Sequence, residues 1–260
     1  MARFLLTVLM SAILCSGCST SGYDVLSTAS IAQPRFKDTD PVDFGARHPH
    51  RHDIHGIDVS KWNGEIDWRA VKSSGISFAF IKATEGSDRL DSAFERNWKQ
   101  AAAAGVPYAP YHFYYFCSTA DAQADAFIRN VPKAAVKLPP VLDVEWNHAS
   151  PTCKWRPDPA TVRAEMRRFM DRIHRHYGKR PIIYTTIDFH RDNLVGHFED
   201  HHFWVRSTAA HPGEIYPERR WAFWQYTATG VVPGINGNTD INVFAGTKKN
   251  WQAWVASAGK

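Results

Sequence analysis

At 260 residues, 44% hydrophobic and 13% aromatic, the chain carries ample material for a substantial core, which excludes global disorder. Its formal charge of +5, from 31 Lys and Arg against 26 Asp and Glu, is too small and too scattered for a nucleic-acid-binding protein and points at most to an anionic polymer or surface. The length suits one α/β barrel, typically about 250 residues, better than two small domains.

Residues 1–17 hold an early Arg3 and an apolar run from Phe4 to Leu14, the pattern of an export signal and too short to span a bilayer. The run ends Leu14-Cys15-Ser16-Gly17-Cys18, and small residues directly before a Cys resemble a bacterial lipobox, with Cys18 as the lipidated residue. Cys15 stands where that pattern prefers Leu. Ser19 after the Cys suits the periplasmic face of the outer membrane; a cleaved signal and secretion is the alternative, and any membrane contact is through the lipid alone. Residues 18–52 are rich in Ser, Thr, Pro and Asp, lack apolar periodicity and are expected to form a flexible tether. In this stretch and just beyond, His48, His50, His52 and His55 have no Cys or acidic partner at a closing spacing, so a solvated His-rich segment is expected and no metal. With Cys15 removed and Cys18 modified, Cys117 and Cys153 remain as an even pair in an oxidising compartment. A disulfide between them is expected; two buried thiols are the alternative.

From residue 53 to 260 the chain alternates short apolar runs with helical patterns, the βα signature. A strand over His55 to Ser60 precedes a helix through Trp68, Val71 and Lys72. Phe78 to Thr84 precedes an Ala-rich helix from Asp91 to Ala104, ended by Gly105. Tyr108 to Phe116 precedes a helix from Thr119 or Asp121 to Asn130. Val141 to Trp146 precedes a helix from Pro159 to His176, with Gly178 just beyond. Four further strands, Pro181 to Thr185, His202 to Arg206, Trp221 to Tyr226 and Thr239 to Phe244, have less helix between them. Eight strands in this order predict a closed α/β barrel, a single domain over residues 53–260.

Acidic residues interrupt otherwise apolar strands. Asp143 and Glu145 alternate with Val and Trp in Val141-Leu142-Asp143-Val144-Glu145-Trp146, so both face one side of the strand, near the end where barrels place active sites. Two carboxylates so close repel, which raises one pKa and leaves the other ionised, as a general acid and an anionic companion require. Asp58 and Asp240 interrupt the first and last strands, which barrel closure makes neighbours. Aromatic residues crowd strand three (Tyr108, Tyr111, Phe113 to Phe116) and strand seven (Trp221, Phe223, Trp224, Tyr226), a set suited to stacking on sugar rings as well as to packing.

The motifs Gly56-Ile57-Asp58-Val59-Ser60-Lys61-Trp62-Asn63-Gly64, Ile81-Lys82-Ala83-Thr84-Glu85-Gly86, Tyr111-His112-Phe113, Leu142-Asp143-Val144-Glu145, Trp224-Gln225-Tyr226 and Thr239-Asp240-Ile241-Asn242 together resemble the glycoside hydrolase family 25 lysozymes, the Chalaropsis-type N-acetylmuramidases, over about residues 53–250. The resemblance implies an irregular TIM-like (β/α)5(β)3 barrel that cleaves the β-1,4 bond between N-acetylmuramic acid and N-acetylglucosamine in peptidoglycan, as a monomer and without a cofactor. It implies Glu145 as general acid, Asp143 as its partner carboxylate, and Asp58 and Asp240 as the remaining acidic positions. Tyr111 and Tyr184 are expected to hold the substrate's N-acetyl group or its oxygens; Lys82, Glu85 and Trp224 complete the expected substrate-binding set.

Retention calls for carboxyl groups about 5 to 5.5 Å apart, inversion for about 6.5 to 9.5 Å, and side chains two apart on one strand suit the former. The acetamido oxygen of the sugar can serve as internal nucleophile, with direct attack by a carboxylate as the alternative. Chitinases that use such assistance carry Asp-x-x-Asp-x-Asp-x-Glu, which would place Asp where this chain has Leu138 and Val141. A noncatalytic peptidoglycan-binding lipoprotein and a glycosidase for another amino-sugar polymer are the rival readings. From Asp53 onward 26 basic residues stand against 22 acidic ones, an excess available to carboxylates of peptide stems.

Overall fold

The structure, a computed structural model, describes Met1 and residues 35–257 of the chain. Cys18 and most of the expected signal lie outside the described residues. In chain order the elements are β1 (Lys37–Asp38), β2 (His55–Val59), α1 (Trp68–Ser73), β3 (Ile76–Glu85), β4 (Arg89–Leu90), α2 (Phe94–Ala103), β5 (Tyr108–Phe113), α3 (Ala120–Asn130), β6 (Val141–Val144), α4 (Pro159–Tyr177), β7 (Ile182–Thr185), α5 (Ile187–Asn193), β8 (Phe203–Arg206), α6 (Pro212–Ile215), β9 (Phe223–Val231), β10 (Thr239–Phe244) and α7 (Lys248–Ser257).

Strands β2, β3, β5, β6, β7, β8 and β9 run parallel as successive neighbours. Strand β10 fits antiparallel between β9 and β2 and closes an eight-strand barrel. Local signals set the helix limits: Asp158 caps α4 by accepting from the N–H groups of Ala160 and Thr161, Pro159 begins it, and Gly178 ends it at φ 71°. The third and fourth barrel strands stop at Phe113 and Val144, short of the expected Phe116 and Trp146. Helices α5 and α7 and the two-residue strands β1 and β4 were not foreseen. Only the four-residue α6 separates β8 from β9, and β9 leads into β10 with no helix between them.

Side chains alternate between two cores, as pleating requires. Ile57, Val59, Ile81, Leu142, Val144, Ile183 and Val205 face outward to the helices, while Phe78, Phe80, Val141, Ile182, Trp204 and Phe223 fill the barrel. Gly56 lies where β2 passes the ring of Phe78; a Cβ there would come within 2.4 Å of it. Helix α7 closes the end at which the parallel strands begin. Its Trp251 sits 5.2 Å from Phe78 and 5.3 Å from Phe244, ring to ring.

Residues 35–52 depart from the expected tether. Lys37 and Asp38 pair with Val231 and Gly230, where β9 runs past the barrel and offers its edge. Phe36 is buried, and Phe44 meets Trp224 edge-on at 5.0 Å. The reason is apolar surface: the strap packs on the outer faces of β9 and β10, at Trp224, Tyr226 and Ile241. Ring contacts tie the histidines to it, although only His55 is buried and His50 stays exposed. His48 and His50 lie 4.6 Å apart and Phe36 and His55 5.0 Å, and burial pushes the His55 pKa down to about 3. Among the described residues no group of three or more His, Cys, Asp or Glu side chains could hold a metal ion, and no helix is long and apolar enough to cross a membrane.

Candidate active site

Every expected carboxylate lies at the end of the barrel opposite α7, where the parallel strands terminate. Asp58 is the penultimate residue of β2, and Asp240, near the start of antiparallel β10, lies directly across from it. Asp143 on β6 is level with Tyr184 on β7, and Tyr111 on β5 is level with Lys82 on β3. Glu145 follows the last residue of β6 and shares the inward parity of Asp143; it is half-buried, whereas Asp143 is 6% exposed.

Hydrogen bonds treat these acids differently. Asp58 Oδ2 accepts from Gln225 Nε2 and from Asn242 Nδ2, both at 2.9 Å. Each amide is oriented from its far side, because Tyr184 Oη donates to Gln225 Oε1 at 3.0 Å and the Trp204 indole N–H, which can only donate, reaches Asn242 Oδ1 at 2.7 Å. Asp58 thereby belongs to a five-residue hydrogen-bonded chain across five strands. Asp143 Oδ1, in contrast, is buried without any hydrogen-bond partner. Buried polar atoms are rarely left so, and an unsatisfied acceptor lining a mouth is an invitation to a ligand's donor.

Burial raises the pKa of all four acids. It drives Asp143 well above the ordinary range, with repulsion from Glu145 adding to it. Glu145 is raised by burial and by Asp188, against the pull of Arg206 and Lys82. Asp58 is pushed up to about 6 by burial, opposed by its bonds from Asn242 and Gln225. Asp240 rises to about 8 through burial and the charge of Asp58. Burial, and then these carboxylates, also lift the Tyr111 and Tyr184 phenols well above 10, so both remain hydroxyl donors. A half-buried carboxyl with a raised pKa beside buried acids has the chemistry required of a proton donor.

Lys82 stands at the rim, bonded to Glu85 Oε2 at 2.7 Å and lying over the Phe113 ring at 4.7 Å. Glu85 is saturated by Lys82, by Tyr115 Oη at 2.8 Å and by Arg89 at 3.2 Å, so it steadies Lys82 rather than facing a substrate directly. Trp224 is not in the site at all. It is 0% exposed on the outer face of β9, donating to the Ser207 carbonyl under the strap. Its neighbour Gln225 is the inward residue of that motif, because register pairs it with Arg206 of β8. Sequence reasoning passed over Gln225, Asn242, Trp204 and Arg206, although Asn242 lies two positions from Asp240, on the same strand face. Cys117 and Cys153 form the expected disulfide, with Cα atoms 5.7 Å apart, between the loops that follow β5 and β6.

Residues 57–235 match the family model of glycosyl hydrolases family 25. The chain belongs to this family. Over 210 residues, 75% of this family 25 hydrolase and 68% of the relative, it is 37% identical to Lysozyme M1 of Streptomyces globisporus. Identity to Uncharacterized protein YegX of Escherichia coli K12 is also 37%, over 82% of this chain and 77% of that one. The hydrolase superposes with TM-score 0.72 and 34% identity on a family 25 glycosyl hydrolase of Bacillus anthracis, covering 84% of this chain and 99% of the other.

Proposed function

We propose that this glycoside hydrolase cleaves the β-1,4 bond between N-acetylmuramic acid and N-acetylglucosamine in peptidoglycan, with retention and with the substrate's acetamido group as nucleophile. The substrate class follows relatives named as lysozyme and N,O-diacetylmuramidase. The assignment of roles rests above all on Asp143. Its buried Oδ1 lacks a partner, and the N–H of a substrate acetamido group is the donor that would satisfy it. Once that N–H is bonded to it, the charged form of Asp143 is favoured against its burial, and the carboxylate orients the acetamido oxygen toward the anomeric carbon and stabilises the positive charge that develops as the ring closes. Glu145, protonated and half-buried, gives its proton to the leaving oxygen and afterwards takes one from water. Asp58, fixed by Gln225 and Asn242, supplies negative potential beneath the sugar, and Asp240, Tyr111 and Tyr184 complete the wall.

Glu145→Gln removes the proton donor and keeps the shape. It should lower solubilisation of purified murein by about 10²- to 10⁴-fold while leaving binding in place; unchanged turnover would overturn the assignment. Reducing ends on muramic acid identify the bond cleaved, and a first-formed β product in rapid NMR identifies retention. The same reading includes export with Cys18 lipidated, to be checked by the mass of the mature N-terminus.

A further inference from the structure

Strands β5 and β6 are neighbours, and the disulfide between Cys117 and Cys153 ties together the loops that leave them. Past Cys153 the second loop runs Lys154-Trp155-Arg156 along a cleft that also has Glu145, Trp146 and His148 in its walls. Arg156 is fixed there. Its guanidinium lies 5.0 Å from the Trp146 ring centre, and one nitrogen is 2.6 Å from His148 Nδ1. His148 accepts at Nδ1, which leaves Nε2–H to donate to Asp188 Oδ2 at 3.0 Å. Trp146 Nε1–H is in turn bonded to Asp192 Oδ2 at 2.8 Å.

The nearby acids are therefore engaged elsewhere: Asp188 by His148 and Thr186, Asp192 by Trp146 and Arg191. Neither Lys154 nor Arg156 has a carboxylate within 4.0 Å among the described residues. Two uncompensated cations, one held rigidly by an aromatic face and a histidine, thus share a cleft with the proton donor. Trp155, 60% exposed, stands between them as an apolar wall.

We propose that this cleft is an anion subsite in which Lys154 and Arg156 bind a carboxylate of the peptide that muramic acid carries on its lactyl group. The inference rests on the peptidoglycan reading above. A sugar polymer such as chitin has no charge to place there, whereas each peptide-bearing muramoyl unit brings carboxylates along the peptide attached to its lactyl group. The subsite selects peptide-bearing strands, and it does so beside Glu145, where a bound carboxylate fixes the sugar relative to the acid. It also gives the disulfide a purpose, since the bridge ends directly before Lys154.

The test compares uncrosslinked, peptide-bearing murein strands with the same strands after their peptide carboxyls have been converted to amides. Wild-type protein should show kcat/KM about tenfold higher on the native strands, the size of one charge-assisted hydrogen bond, and the double variant K154Q/R156Q should bring that ratio close to one. Because the readout is a ratio, a general loss of folding or of acid catalysis cancels. On the intact protein, added salt should erode the preference for native strands while leaving the rate on amidated strands nearly flat. Equal wild-type rates on both substrates, or a double variant that loses rate on both yet keeps the ratio, would overturn the subsite and leave the hydrolase assignment standing. Failure of wild-type protein to cleave either strand would instead overturn the peptidoglycan reading itself.

Discussion

Two carboxylates of similar depth live under opposite regimes. Asp58 is given two amide donors and Asp143 none, so Asp58 is the acid the fold satisfies and Asp143 the one it leaves for a ligand. That difference has a stability consequence. Because the folded pKa of Asp143 lies above its unfolded value, ionising it costs stability as pH rises from the ordinary carboxylate range toward the raised value. Asp143→Asn removes that cost. The variant should melt a few degrees higher than the parent at pH 8, with the gap closing at pH 4, while turnover falls; calorimetry at the two pH values checks it. Glu145 offers a second test, since Arg206 lowers its pKa and Asp188 raises it. Arg206→Gln should move the alkaline limb of the kcat/KM profile to higher pH, and Asp188→Asn should move it to lower pH. Shifts in the same direction would mean that the limb belongs to another group.

Elements were legible where a periodic pattern wrote them. The four acids stood out because each interrupts an apolar strand, and alternation placed Asp143 and Glu145 on one face. Strand β9 was ambiguous for the same reason: Phe223 and Trp224 are both aromatic and both fully buried, one inside the barrel and one outside, and only pairing with β8 fixes which is which. The strap was illegible because Phe36 and Phe44 follow neither a period of two nor one of 3.6, and an irregular segment packed on a barrel leaves no periodic trace. Phe36 nonetheless docks with its side chain buried, so Phe36→Ala should cost about 3–5 kcal/mol, read from urea unfolding. An effect under 1 kcal/mol would restore the tether.

Over the whole molecule, the closed barrel with its site at the ends of the parallel strands could be read from strand count and the position of the acids, whereas the plug of Trp251 and Trp254 could not, because a lone amphipathic helix does not announce which cavity it stoppers. The disulfide closes a loop with a sequence separation of 36 residues. Replacing both cysteines by Ser should lower stability by about 2–4 kcal/mol through the freed chain and should also weaken the preference for peptide-bearing strands; thermal melts and the substrate ratio report the two effects separately.

The antiparallel closing strand has a consequence for biosynthesis. Asn242, which holds Asp58 of the first barrel strand, belongs to the last one, as does Asp240. A ribosome that stalls before Thr239 would release a chain that has Glu145, Asp143 and Gln225 but lacks the Asn242 donor to Asp58, the carboxyl of Asp240 and the strand that seals the sheet. The closed barrel and the full set of four acids are therefore reached only once the last barrel strand has been made, so the site is assembled late in synthesis although Asp58 is made early.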